Sequence, residues 1–111
     1  MKTIEVFEMQ LQLQIGSNSS ENDRLFDEAN DGDVWFHVSN LPSPHMWLAN
    51  PDINIISNKQ KLYRIALELK KNSKYKKHNM VNIVYTTKDK LRKTDTPGTL
   101  IIEGKSKYIN V

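Results

Sequence analysis

The residues best equipped for chemistry lie close together in the chain. Asp33-Val34-Trp35-Phe36-His37-Val38 runs through Ser39-Asn40-Leu41-Pro42 into Ser43-Pro44-His45. An aspartate, a tryptophan, two serines and two histidines fall within thirteen residues. Asp33, His37 and His45 carry donor atoms that can hold zinc. Ser43 with either histidine and Asp33 has the composition of a nucleophilic triad. Neither has the usual setting. His-x₇-His running from strand to loop is not a metal signature, and Ser43 sits between two prolines with no nucleophile elbow before it. A metal-dependent hydrolase therefore stands only as an alternative. The plainer role for His37 and His45 is as hydrogen-bonded, partly buried groups that fix the loop against the strand.

The supporting elements follow from periodicity. Alternation over residues 34–38 puts Val34, Phe36 and Val38 on one side of a strand and Trp35 and His37 on the other. Pro42 and Pro44 forbid a helix after it and favour an extended turn that returns His45 towards the strand. Before it, Phe7 to Ile15 alternates strictly against Glu8, Gln10, Gln12 and Gln14, predicting a half-wet strand of an antiparallel sheet. Ile4 and Val6 are out of phase with this run, so a break is expected near Val6-Phe7. Gly16 to Asp23 opens a short helix capped by Ser19 or Ser20, with Leu25, Phe26 and Ala29 inward, and Asn30-Asp31-Gly32 ends it.

Met46-Trp47-Leu48 reads as another strand, and Asn50-Pro51-Asp52 as a turn. Ser57 or Asn58 caps the main helix, whose stripe is Leu62, Ile65, Ala66 and Leu69, with Lys61, Arg64, Glu68 and Lys71 on the far side. Met80 to Thr86 is β-rich. After the Thr96–Thr99 turn, Leu100–Glu103 and Tyr108–Val111 read as a terminal hairpin around Gly104-Lys105. The order ββα-ββ-α-βββ predicts an α+β fold: a single domain over residues 1–111, with a mostly antiparallel sheet and two main helices.

Charge is distributed unevenly. Residues 1–58 hold two basic against nine acidic side chains, a net of −7; residues 59–111 hold fourteen against four, a net of +10. The net over the chain is +3. Such polarity suits a face shaped for a polyanion. The candidate phosphate contacts are Lys70, Lys71, Lys74, Lys76 and Lys77 in one run and Lys88, Lys90, Arg92 and Lys93 in a second. Trp35, Trp47, Tyr75, Tyr85 or His45 can stack an unpaired base. An interaction module docking an acidic protein partner would carry the same charge split. The chain has no cysteine, which removes disulfides and thiolate metal sites and suits a reducing compartment. The first residues lack the apolar run of a signal peptide, and no stretch approaches membrane-spanning length, so a cytoplasmic protein without membrane attachment is expected.

Several of these segments, taken in order, resemble the NFACT-R domain, the RNA-associated C-terminal module of ribosome quality-control NFACT proteins, which also occurs alone. Gly16-Ser17-Asn18 followed by Glu21-Asn22-Asp23 is similar to its G-x-N…E-N-D segment. Asp33–Val38 resembles its D-[IV]-W-[FL]-H-[VA] strand, and Pro42-Ser43-Pro44-His45 the S-x-H turn that follows. The strand Val81–Thr86, Leu91-x-Lys93, Pro97-Gly98 and the closing Lys105–Val111 complete the likeness from about Gly16 onward. The chain departs from the family in lacking a glycine-centred hairpin before Gly16 and in placing Pro44 before the second histidine.

The resemblance implies a non-enzymatic module that needs no cofactor and binds RNA, transfer RNA or ribosomal RNA, in some cases at the ribosome. It implies a motif site made of Asn18, Asn22, Asp33, Trp35, His37, Ser43 and His45, which contact the RNA or shape the loop that does.

Overall fold

A computed structural model describes residues 1–111. The strands β1 (Lys2–Val6) and β2 (Leu11–Gly16) form an antiparallel hairpin in which Val6 faces Leu11. The break expected at Val6-Phe7 is this reversal. The single strand read over Phe7–Ile15 is corrected: a 3₁₀ turn spans Phe7–Met9, and Gln10 closes it at φ 53°. Phe7 is left 80% exposed, while Leu13 and Ile15 point into the core. The polar alternation is genuine only where a neighbouring strand pairs with it. The hairpin also forms without glycine, because the left-handed turn residue is glutamine.

The helix α1 (Ser19–Glu28) is capped by Asn18, whose side chain accepts from Glu21 N, rather than by either serine. Next come β3 (Val34–Val38), β4 (His45–Leu48), a single turn α2 (Ile53–Ile56), and α3 (Lys59–Lys71) with Asn58 as its cap. The strands β5 (Asn82–Thr87), β6 (Leu91–Lys93), β7 (Leu100–Ile102) and β8 (Lys107–Asn110) complete the chain. Six strands make one antiparallel sheet in the order β1-β2-β4-β3-β5-β8, and β6 pairs with β7 in a separate ribbon. The fold is α+β, as expected. No helix is long and apolar enough to cross a membrane.

The expected terminal hairpin does not form. Leu91 pairs with Ile102 and Lys93 with Leu100, whereas β8 takes the open edge of β5, with Ile83 opposite Ile109. Burial explains the exchange. Ile83 on β5, Ile109 on β8 and Val111 just after it join the main core, and Val81 and Val111 exchange backbone hydrogen bonds at the edge. Leu91, Leu100 and Ile102 instead cover the opposite sheet face, over Trp35 and Val84.

The result is three layers. On one side α3 packs Leu62, Ile65, Ala66 and Leu69 onto Val34, Phe36 and Val38. On the other, α1 and the β6–β7 ribbon cover Trp35, Trp47 and Val84. The central strand β3 is thus buried on both faces, a setting in which each fully buried large side chain contributes about 1.5–3 kcal/mol. Two residues of α3 depart from the expected pattern. Glu68 is 8% exposed and pairs with Arg64, so it does not face solvent. Lys70 is 9% exposed, with Nζ donating to Val111 O.

Candidate functional site

Alternation along β3 aims Trp35 and His37 away from the α3 core, and pairing with β4 sets His45 beside them. Trp35 Nε1–H donates to His45 Nδ1 at 3.1 Å. His37 stacks on Trp35 with centroids 5.3 Å apart and meets His45 edge to face at 4.9 Å. The three rings form the floor of a cleft of about 380 Å³ between the main sheet and the ribbon. Its walls are Ser39 and Asn40 on one side and Gly98, Thr99, Leu100 and Ile102 on the other, with Tyr108 also lining it.

The loop that returns His45 is rigid for identifiable reasons. Ser43 Oγ accepts from Val38 N and donates to Pro44 O. Tyr75 reaches across from the segment after α3, and its hydroxyl donates to Pro42 O at 2.9 Å. Ser43 therefore shapes the loop, and its proton goes to a carbonyl rather than to a histidine. The triad reading loses its nucleophile–base contact.

Asp33 lies at the other end of the strand. Four residues of extended chain put it roughly 13 Å from His37. Its carboxylate accepts from Asn30 N and Asn50 N, which ties the α1–β3 turn to the loop after β4. Asp33, His37 and His45 do not converge, so the metal-ligand set considered from sequence is not assembled here.

The G-x-N…E-N-D segment has a structural account, residue by residue. Asn18 caps α1, and Glu21 accepts from Ser17 N. Asn22 is buried against Gly16, where an added Cβ would lie 2.4 Å from Asn22 Oδ1. Gly16 is the partner of His45 across the β2–β4 ladder, so this close approach seats α1 behind the histidine. Asp23 accepts from Gly98 N, and Gly98 itself has φ +78° with its Cα against Ser19. The segment thus clamps the Pro97-Gly98 turn that forms the far wall of the cleft.

Burial sets the protonation of the two imidazoles. It lowers the pKa of His37, partly opposed by the Val38 carbonyl, and it lowers that of His45 to about 3, with repulsion from His37 as the smaller cause. Both rings are neutral near pH 7. Below the unfolded-state value near 6.5, an unfolded chain takes up protons that the native His45 refuses, so stability falls with acidification from there towards pH 3. The loss is at most about 1.4 kcal/mol per pH unit for this ring. Urea titrations at pH 7 and pH 5 should show a clear drop in midpoint, with His45→Gln losing much less between the two conditions. An equal drop in both proteins would assign the sensitivity to other groups.

The basic residues separate into two groups. Lys74, Lys76 and Lys77 surround Tyr75 on the segment whose hydroxyl braces the histidine loop, and none of the three forms an ion pair. Lys74 lies near the Tyr75 ring, and Lys71 is 3.9 Å from Glu68. In the second run each cation has a partner. Lys93 pairs with Asp27 at 2.7 Å, Arg92 with Glu103 at 3.1 Å and Lys90 with Asp89 at 3.5 Å. Lys88 donates to Ala29 O and covers the Phe26 ring. Lys70, being buried, is withdrawn from the surface.

The stacking residues named from sequence are mostly enclosed: Trp35, Trp47, Tyr75, Tyr85 and His45 are all buried. The aromatic ring open at the cleft is Tyr108, 58% exposed, which the sequence reading placed only in a strand. Its register opposite Val84 is what turns it to this face, and that register depends on a strand pairing not evident from local pattern.

Comparison with known proteins adds three findings. Residues 7–110 match the model of the NFACT protein RNA binding domain. Coiled-coil domain-containing protein 25 of Danio rerio is 36% identical over 83 residues, covering 72% of this chain and 40% of that protein. The chain therefore spans about two fifths of that relative. The C-terminal structure of the fibronectin/fibrinogen-binding protein of Streptococcus suis superposes with a TM-score of 0.82 at 22% identity, over 99% of this chain and 44% of that one, which shows a shared fold.

Proposed function

This chain belongs to the NFACT protein RNA binding domain family, and from that premise we propose that it binds structured RNA, transfer RNA foremost, without catalysing a reaction on it. Phosphates are held by Lys74, Lys76 and Lys77, with Lys71 at the end of α3 alongside. Lys88, Lys90, Arg92 and Lys93 contribute on the ribbon side, where each must exchange its present partner for a phosphate. The cleft of Trp35, His37, His45 and Tyr108 receives the part of the RNA that enters between these two groups. Asn18, Asn22, Asp33 and Ser43 act from behind by holding the walls.

The observation that carries this reading is the Tyr75 hydroxyl on Pro42 O, which joins the unpaired lysine loop to the loop carrying His45. A polyanion touching Lys76 and Lys77 is thereby led towards the cleft. Neutral imidazoles at the floor and free ammonium groups outside divide the work, with charge for affinity and hydrogen bonding for selection.

Filter binding of transfer RNA across a salt series tests it. Each phosphate contact should add about −0.7 to −0.9 to the slope of log K against log salt. Four or more contacts should give a slope steeper than about −3. A slope near zero, or equal displacement by an acidic peptide of matched charge, would remove the proposal.

A further inference from the structure

Each imidazole in the cleft has one ring nitrogen already engaged, and its partner fixes what the other nitrogen offers. Trp35 Nε1–H can only donate, so at 3.1 Å it requires Nδ1 of His45 to accept. That ring must then carry its proton on Nε2. Val38 O can only accept, so at 2.7 Å it requires Nδ1–H on His37. With the ring neutral, a lone pair remains on its Nε2. The rings stand nearly perpendicular, with centroids 4.9 Å apart. The floor of the cleft therefore presents one N–H donor beside one acceptor nitrogen, and the tryptophan–histidine bond holds that pattern in place.

A phosphate, with acceptors only, fits this pair badly, because its oxygens would meet the His37 lone pair. The Watson–Crick edge of a base carries a donor and an acceptor side by side and so complements both nitrogens in kind. In a duplex that edge is already occupied, so only an unpaired nucleotide can present it. A space of about 380 Å³ lies at the small end of ligand pockets and suits one nucleoside. The exposed Tyr108 ring at the cleft offers a face for stacking.

Resting on the RNA-binding reading above, we infer that the cleft is a one-nucleotide subsite that takes an unpaired base by its Watson–Crick edge. His45 Nε2–H donates to a base carbonyl or ring nitrogen, and His37 Nε2 accepts from a base N–H. The lysines outside bind the backbone on either side and are indifferent to pairing.

Fluorescence anisotropy with RNA hairpins of equal length and charge tests this. Every loop is replaced by an abasic polyethylene glycol linker; one stem is fully paired, one carries a single bulged uridine, and one carries 3-methyluridine in the same bulge. The bulged uridine should bind roughly tenfold more tightly than the paired hairpin, and the methyl group, which is uncharged and blocks only the N3 edge, should abolish that gain. The alteration is on the RNA, so misfolding of the protein cannot imitate the result. His37→Ala should likewise narrow the gap between bulged and paired RNA. Equal binding of all three hairpins overturns the subsite and leaves the RNA-binding reading standing. Displacement of a fluorescent uridine nucleotide by uridine monophosphate, with no hairpin bound at any salt, would keep the subsite and overturn that reading.

Discussion

Replacing Lys74, Lys76 and Lys77 together by glutamate is expected to weaken RNA binding about a hundredfold or more at 0.1 M salt. Three lost phosphate contacts account for that factor directly, since each contributes about 0.7–0.9 to the exponent of the salt dependence. The slope should flatten by about two to three as well, because fewer counterions are released. Stability should change little. None of the three lysines belongs to an ion pair, and the Tyr75 hydroxyl that fixes the segment is untouched. The same reversal at Lys90, Arg92 and Lys93 is expected to behave differently. Those cations face Asp89, Glu103 and Asp27, so glutamate there also creates repulsion inside the protein, and part of any lost affinity would come from displacement of the ribbon. Equilibrium binding of both variants, with thermal melts run in parallel, separates the cases. A first variant with normal affinity would mean that the phosphate path runs elsewhere.

The contrast between the two lysine runs shows where sequence reading stops. Both runs look alike as strings, and their summed charge is legible in advance. Which ammonium groups are free is not, because Asp27 and Glu103 come from distant parts of the chain and meet Lys93 and Arg92 only in the folded state. Lys70 makes the same point, since nothing local marks it for the C-terminal carbonyl of Val111. By contrast, the split of β3 into a Val34/Phe36/Val38 face and a Trp35/His37 face was legible, because a two-residue period admits one arrangement once a face is buried. The approach of His45 was legible too, since two prolines leave the chain little choice but an extended return. The ribbon wall and Tyr108 were not. They depend on β8 choosing β5 over β7, and the segments concerned are three and four residues long, too short for pattern to decide the partner.

Asp33 offers the second large effect, because its chemistry suggested one role and its surroundings give it another. It is 6% exposed, and its carboxylate accepts from two backbone N–H groups belonging to different loops. Asp33→Ala leaves both donors without the partner they have now. Hydrogen bonds to a charged group contribute about 1.5–3 kcal/mol, and both donors lie on exposed residues where water replaces part of the loss, so the pair should lower stability by about 2 kcal/mol. In a protein of this size that is a large fraction of the total. The urea midpoint should fall with an unchanged slope if the native state otherwise keeps its packing. Asp33→Asn should fall between the wild type and Asp33→Ala, since one amide oxygen can still accept from one of the two donors while the NH₂ group faces the other. RNA selection by the folded fraction should survive in both variants, because the strand still delivers Trp35 and His37 to the cleft. A direct role in ligand or metal binding predicts the reverse pattern: near-normal stability in Asp33→Ala, with selection lost. Denaturation and binding measured on the same preparations distinguish the two, and a stability change below about 0.5 kcal/mol would refute the structural role.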